Sequence, residues 1–217
     1  MTATSPLANL REVGGAGVQT GRARTVLRSN TEDVPPSAYP DSVTTVVDLR
    51  RDDEIAALPH PLRHVVAYRH RPLFDPSAPD AGDAGARLEE QYVDWLARHR
   101  ATIADAFRAI ATAPQGDVLV CCSAGKDRTG IVSILLGRLW GADLTRIGLD
   151  YAETGPRLVE RFRRELDESQ DPAYTRIMHR CVPETAHHVV RFVETEFGSV
   201  RGYLVAIGLS DAEIAAL

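Results

Sequence analysis

Apolar residues recur along this chain in two periods, and each change of period marks a change of element. From Leu88 to Ala113 the apolar positions Leu88, Tyr92, Trp95, Leu96, Ile103, Phe107 and Ile110 fall near three and four apart, the repeat of one helix face. One long helix or two in tandem would satisfy it. Asp117 to Cys121 is then a short, almost wholly apolar run, which predicts a strand covered on both faces near the centre of a sheet. After a glycine-bearing stretch, apolar residues from Ile131 to Trp140 occupy nearly every side of a predicted helix starting near Arg128, so that helix is expected to be buried.

The remaining elements are weaker in pattern. Glycines 14, 15 and 17 followed by Arg24 to Arg28 predict a glycine-turned pair of short strands. Val43 to Leu49 is a β-branched run, and Asp52, Asp53 and Glu54 behind it suit the positive end of a new helix. His64 to Tyr68 predicts another strand, and Pro72 to Gly85, rich in Pro, Asp, Ala and Gly, a loop that could fold over a site. Helices are expected from Asp143 to about Glu153, from Arg157 to about Leu166, from Asp171-Pro172, and from Pro183 to Phe197. The tail is also expected to be helical, because Ser210-Asp211-Ala212-Glu213 has the spacing of a capping box.

At 217 residues, with 44% hydrophobic and 25% charged positions, the chain is expected to form one domain over 1–217. A net charge of −5 argues against a sequence-independent grip on nucleic acid, which needs surplus cations. No run approaches a transmembrane segment, and the first ten residues lack the basic start and apolar run of a leader. A cytoplasmic address is therefore expected, with signal-less export left open. Three cysteines, Cys121, Cys122 and Cys181, form no disulfide framework and no zinc spacing. No cofactor or metal is expected.

One compositional detail changes the picture. Of 25 basic side chains only one is lysine, Lys126, and it lies in Cys122-Ser123-Ala124-Gly125-Lys126-Asp127-Arg128-Thr129-Gly130. An arginine fork clamps two oxygens, whereas an ammonium is a compact point charge, so the pair suits a phosphate. A loop of small residues between a buried strand and a helix start aims backbone amides at one point and makes an anion cradle from Ser123, Ala124, Gly125, Lys126, Asp127, Arg128 and Thr129. The same positive surroundings favour thiolate over thiol at Cys122. Cys122 is then the nucleophile, Arg128 the clamp, and Thr129 a hydroxyl donor to the sulfur. The leaving oxygen needs a proton, and Asp127 and Asp75 are both candidates. A Cys and an Arg six apart are weak evidence alone; the nine-residue context is specific.

Plainer readings stand beside these. Cys122 could be an inert buried thiol, Lys126 a surface cation and Asp75 a turn residue. Cys121 reads as core and Cys181 as structural. Asp48 and Arg50 read as supports, His187-His188 as a solvated helix face, and Tyr92, Trp95 and Leu96 as core. Rhodanese-like sulfur transfer and a phosphate-binding relic without turnover are the rival functions.

The loop resembles the signature of cysteine-dependent protein tyrosine phosphatases, in particular the bacterial and fungal group with His-Cys-x-x-Gly-Lys-Asp-Arg-Thr-Gly. Asn9 to Gly15 is similar to that group's Asn-Phe-Arg-Asp-Leu-Gly-Gly opening, Asp48-Leu49-Arg50 to its strand end, Asp150-Tyr151 to its Asp-Tyr, and Gly198 to Ser210 to its ending. The resemblance implies the tyrosine-phosphatase α/β fold, a small, mostly parallel central sheet flanked by helices. It implies Cys122 as nucleophile, Arg128 as phosphate clamp and Asp127 as the favoured acid. It also implies substrates among phosphotyrosine, phosphoserine or phosphothreonine proteins and phosphoinositides, with Lys126 near polyanionic head groups. Cys121 stands where that group has histidine and cannot make the imidazole's bracing hydrogen bonds, so reduced activity is expected.

Overall fold

A computed structural model describes residues 7–74 and 87–217. Five strands form one sheet: β1 (Arg11–Glu12), β2 (Val26–Ser29), β3 (Val43–Asp48), β4 (Ala67–His70) and β5 (Asp117–Cys121), in the order β1-β2-β5-β3-β4. Only β1 is antiparallel to its neighbour; the other pairings are parallel. This is the small, mostly parallel α/β sheet that the resemblance implies.

The apolar run of β5 sits at the centre because both of its faces are covered. Val118, Val120 and Cys122 face one hydrophobic cluster with Ile103, Phe107, Ile131 and Leu135, while Leu119 and Cys121 face a second with Tyr39, Val43, Val46 and Leu62. Strand alternation thus sends the two adjacent cysteines to opposite sides of the sheet. Register aligns Ser29, Cys121 and Asp48 across the three central strands. The residues that follow each of them emerge together at the carboxyl edge, where open parallel sheets place their sites.

Helices flank the sheet: α1 (Asp52–Ala57), α2 (Leu88–Arg98), α3 (Arg100–Ala111), α4 (Asp127–Leu139), α5 (Leu144–Ala152), α6 (Thr154–Arg157), α7 (Val159–Asp167), α8 (Pro172–Met178), α9 (Pro183–Phe197), α10 (Val200–Ala206) and α11 (Asp211–Ala216). The periodic stretch after Leu88 is two helices, broken at His99, whose φ of −101° and ψ of 34° lie outside the helix. Every residue of α4 from Arg128 to Gly137 is buried, as its all-round apolar character requires. The capping box is made: Ser210 Oγ accepts from Glu213 N, and the Glu213 carboxylate accepts from Ser210 N.

One predicted strand is misplaced. Strand character begins at Ala67 and runs to His70, whereas His64 to Val66 lie in turns closed by Arg63 N to His60 O and Val65 N to Leu62 O. Val65, which made the segment look strand-like, is 61% exposed. The anchor is the buried Leu62, which seats a turn against the second cluster and delays pairing with β3 until Thr45 meets Ala67.

Candidate active site

The loop from Cys122 to Lys126 joins β5 to α4, and every carbonyl from Cys121 to Gly125 is held from outside. Leu49 N donates to Cys121 O at 2.9 Å and Thr31 Oγ1 to Cys122 O at 3.1 Å. Thr31 N and Arg161 Nη1 share Ser123 O at 3.0 and 3.1 Å. Asn9 Nδ2 donates to Ala124 O and Gly125 O at 3.1 and 2.9 Å, and Arg28 Nη2 to Gly125 O at 2.8 Å. Carbonyls fixed outward turn the opposite edges of their peptides inward, and the amides of Ser123, Ala124 and Gly125 have no acceptor among the described residues. The tight curl needs glycine at 125, where φ is +66° and a Cβ would lie 2.4 Å from Ser29 O.

The outer braces are tied together by Asp150 of α5. Its two oxygens take Arg11 Nε and Arg28 Nη1, each at 2.9 Å, and Arg28 is wholly buried. Burial, and next the charge of Arg28, pull the Arg11 guanidinium down to about 10, against the attraction of Asp150. The motif around Asn9 to Gly15 and the Asp150-Tyr151 pair, distant in sequence, therefore converge on the loop's back.

At the start of α4, Arg128 forks onto Glu54 of α1, Nη1 to Oε2 at 2.5 Å and Nη2 to Oε1 at 2.7 Å. Its guanidinium also lies 5.6 Å from the Phe74 ring centroid. Burial opposes the charge, but the Glu54 hydrogen bonds and the Cys122 sulfur outweigh it and raise the Arg128 pKa. Nη1 also reaches Leu49 O at 3.5 Å, so Nε–H and the second N–H of Nη2 are left for an anion.

Asp127, first residue of α4, accepts Lys126 Nζ at 2.5 Å and the Tyr92 hydroxyl at 2.6 Å on the same oxygen, Oδ1. Tyr92 and Tyr151 hydroxyls meet at 2.8 Å. The Lys126 side chain is 1% exposed, against 27% for Asp127. Burial disfavours the ammonium, yet the Asp127 charge raises its pKa overall. Lys126 is thus placed beside the aspartate at the helix start and away from solvent. Burial, opposed by Lys126 and reinforced by Asp127, pushes Tyr151 up to about 12.

The other expected residues take these positions. Cys122 is 2% exposed at the base of the loop. Thr129 is buried, and its hydroxyl has no partner among the described residues. Asp75 lies outside the described residues. Asp48 and Arg50 pair at 2.7 Å, and Tyr68 donates to the same carboxylate at 2.9 Å. Cys121 sits beside this group, its thiol pKa raised by burial and by Asp48. Burial also pushes the Cys181 thiol up to about 11, with Lys126 opposing. His187 is not solvated as expected: it contacts Leu144 O at 2.8 Å and joins α9 to α5.

Sequence reasoning missed Glu54, Arg28, Thr31 and Arg161, and read Tyr92 as core alone. Glu54 had one signal, its place behind Asp48-Leu49-Arg50. Arg161 had none, since it reaches Ser123 Oγ at 2.7 Å from α7, between Glu32 and Glu165.

Comparison with known proteins bears on this site. The family model described as "Tyrosine phosphatase family" matches residues 3–217. A protein named tyrosine-protein phosphatase from Nostoc commune is 33% identical over 137 residues, which are 58% of this chain and 46% of that protein. The match thus spans about half the length of that relative.

Proposed function

The chain belongs to the tyrosine phosphatase family, and from that premise we propose that it hydrolyses phosphate monoesters, phosphotyrosine foremost, through a cysteinyl-phosphate on Cys122. The observation that carries this reading is the set of outward-held carbonyls, which leaves the amides of the loop that follows Cys122 free for a tetrahedral anion. The Cys122 thiolate attacks phosphorus as the bond to the leaving oxygen breaks, and Asp127 supplies that oxygen's proton. Arg128 and the loop amides meet the charge on the equatorial oxygens, a contribution of about 3 kcal/mol per well-placed donor. Water then attacks phosphorus, Asp127 takes its proton, and the thiolate leaves. Phosphoserine, phosphothreonine and phosphoinositide esters are proposed as further substrates, and the reaction is proposed to need no metal ion.

The test is phosphate release from phosphotyrosine, phosphoserine and phosphoinositide substrates in the presence of a metal chelator. Cys122→Ser is expected to abolish release while still binding vanadate. Full activity in that variant would overturn the mechanism, and binding of phosphopeptide without release by the unaltered protein would establish a non-catalytic relic.

A further inference from the structure

The chain uses arginine for every cation but one, and the exception occupies a closed niche. Lys126 Nζ is buried against Asp127 Oδ1 at 2.5 Å, with the Tyr92 hydroxyl on the same oxygen at 2.6 Å. A planar guanidinium is bulkier and seeks two acceptors, whereas a compact ammonium fits a niche that offers one. Tyr92 is itself closely packed: it is fully buried, stacked on Trp95 at 5.1 Å and edge-on to Tyr151 at 6.1 Å. Two donors from separate elements, the loop and α2, therefore grip one carboxylate oxygen. The other, Oδ2, takes no hydrogen bond among the described residues and belongs to a side chain that is partly exposed.

We propose that Lys126 and Tyr92 are positioning residues, a two-donor clamp on Asp127 Oδ1 that holds Oδ2 toward the leaving oxygen, and that the buried lysine serves the acid and not the substrate. The inference rests on the reading of Asp127 as acid given above. In the first step the proton sits on Oδ2. It passes to the leaving oxygen as the sulfur–phosphorus bond forms and the phosphorus–oxygen bond breaks, and the carboxylate left behind is met at Oδ1 by charge and hydroxyl already in place. In the second step Oδ2 receives the proton of the attacking water as the sulfur–phosphorus bond breaks. An unclamped aspartate would rotate about its terminal torsion, which has broad wells, and would lose that alignment.

The test exploits leaving groups. Phenyl phosphate needs a proton on its departing oxygen, because phenol is a weak acid of pKa about 10; dinitrophenyl phosphate departs as a stable anion without one. Tyr92→Phe keeps the ring and its packing and deletes only the hydroxyl. It is expected to lower kcat/KM about tenfold on phenyl phosphate and less than about twofold on dinitrophenyl phosphate, and Lys126→Met to do the same more strongly. Equal losses on both substrates, or none, would overturn the clamp. So would a Lys126→Met effect confined to a raised KM for an inositol bisphosphate, which would place the ammonium on the substrate. If Cys122→Ser retains turnover, the phosphatase reading itself fails; if that variant is dead and the leaving-group difference is absent, only the clamp fails.

Discussion

Glu54 holds Arg128 through two charge-assisted hydrogen bonds across 74 positions of sequence, tying the first turn of α1 to the first turn of α4. The pair is mostly buried, with side-chain exposures of 11% and 18%. Its consequence is directional. A guanidinium fixed at one edge presents its remaining N–H groups to the loop without searching rotamers.

Glu54→Gln keeps the shape and removes the charge, so Arg128 loses its orientation but not its place. The expected result is a fall in kcat/KM of about 10- to 100-fold together with weaker inhibition by vanadate. Steady-state kinetics with vanadate titration checks it.

Asp150→Asn removes the shared counter-ion of Arg11 and Arg28, both nearly inaccessible. Buried Arg28 loses its acidic partner, Arg11 keeps only Glu153 at 3.8 Å, and the anchor on Gly125 O loosens. Urea unfolding is expected to show a loss of about 3 kcal/mol, with phosphatase activity falling in parallel.

Thr31 braces the loop through its hydroxyl on Cys122 O and its amide on Ser123 O. Thr31→Val deletes the first bond only and is expected to cost about 1 kcal/mol of stability and about tenfold in activity. Cys121→Ala empties space on the opposite face of the sheet. It is expected to lower stability by about 1 kcal/mol while leaving kcat within about twofold of the unaltered protein.

His60 lies buried between Tyr39 and Tyr68, its Nδ1 accepting Leu62 N and its Nε2 without a partner among the described residues. Burial lowers its pKa from 6.5 to about 4, with Asp48 opposing and Arg50 assisting. The unfolded chain binds a proton near 6.5 that the folded protein refuses until about 4, so stability is full above that window and falls as pH drops through it. The loss is on the order of 3 kcal/mol. Urea melts at neutral and acidic pH are expected to show His60→Asn with a correspondingly shallower acid slope.

Much of this architecture was legible because it is local. The run Asp117 to Cys121, the small-residue loop and the all-round apolar α4 are contiguous, and their order alone predicts strand, anion loop and buried helix. The Ser210 box and the Pro172 and Pro183 helix starts are equally local. Strand β4 was displaced because the exposed Val65 mimics a strand position, while the decisive restraint is the register of Ala67 against Thr45, a partner 22 residues away.

The sequence alone determined the strand, loop and buried helix that put Cys122, Gly125 and Arg128 on one short turn, since these follow from backbone geometry and residue chemistry within a few positions, and its motifs carried the resemblance that implies the fold class. Tertiary structure alone decided which remote side chains turn the loop's carbonyls outward, that Glu54 orients Arg128, and that Lys126 and the hydroxyl of Tyr92 converge on one oxygen of Asp127. The reason is physical: periodicity reports which face of an element is buried, but a polar atom at the far end of a buried side chain finds its partner only when separate elements have packed.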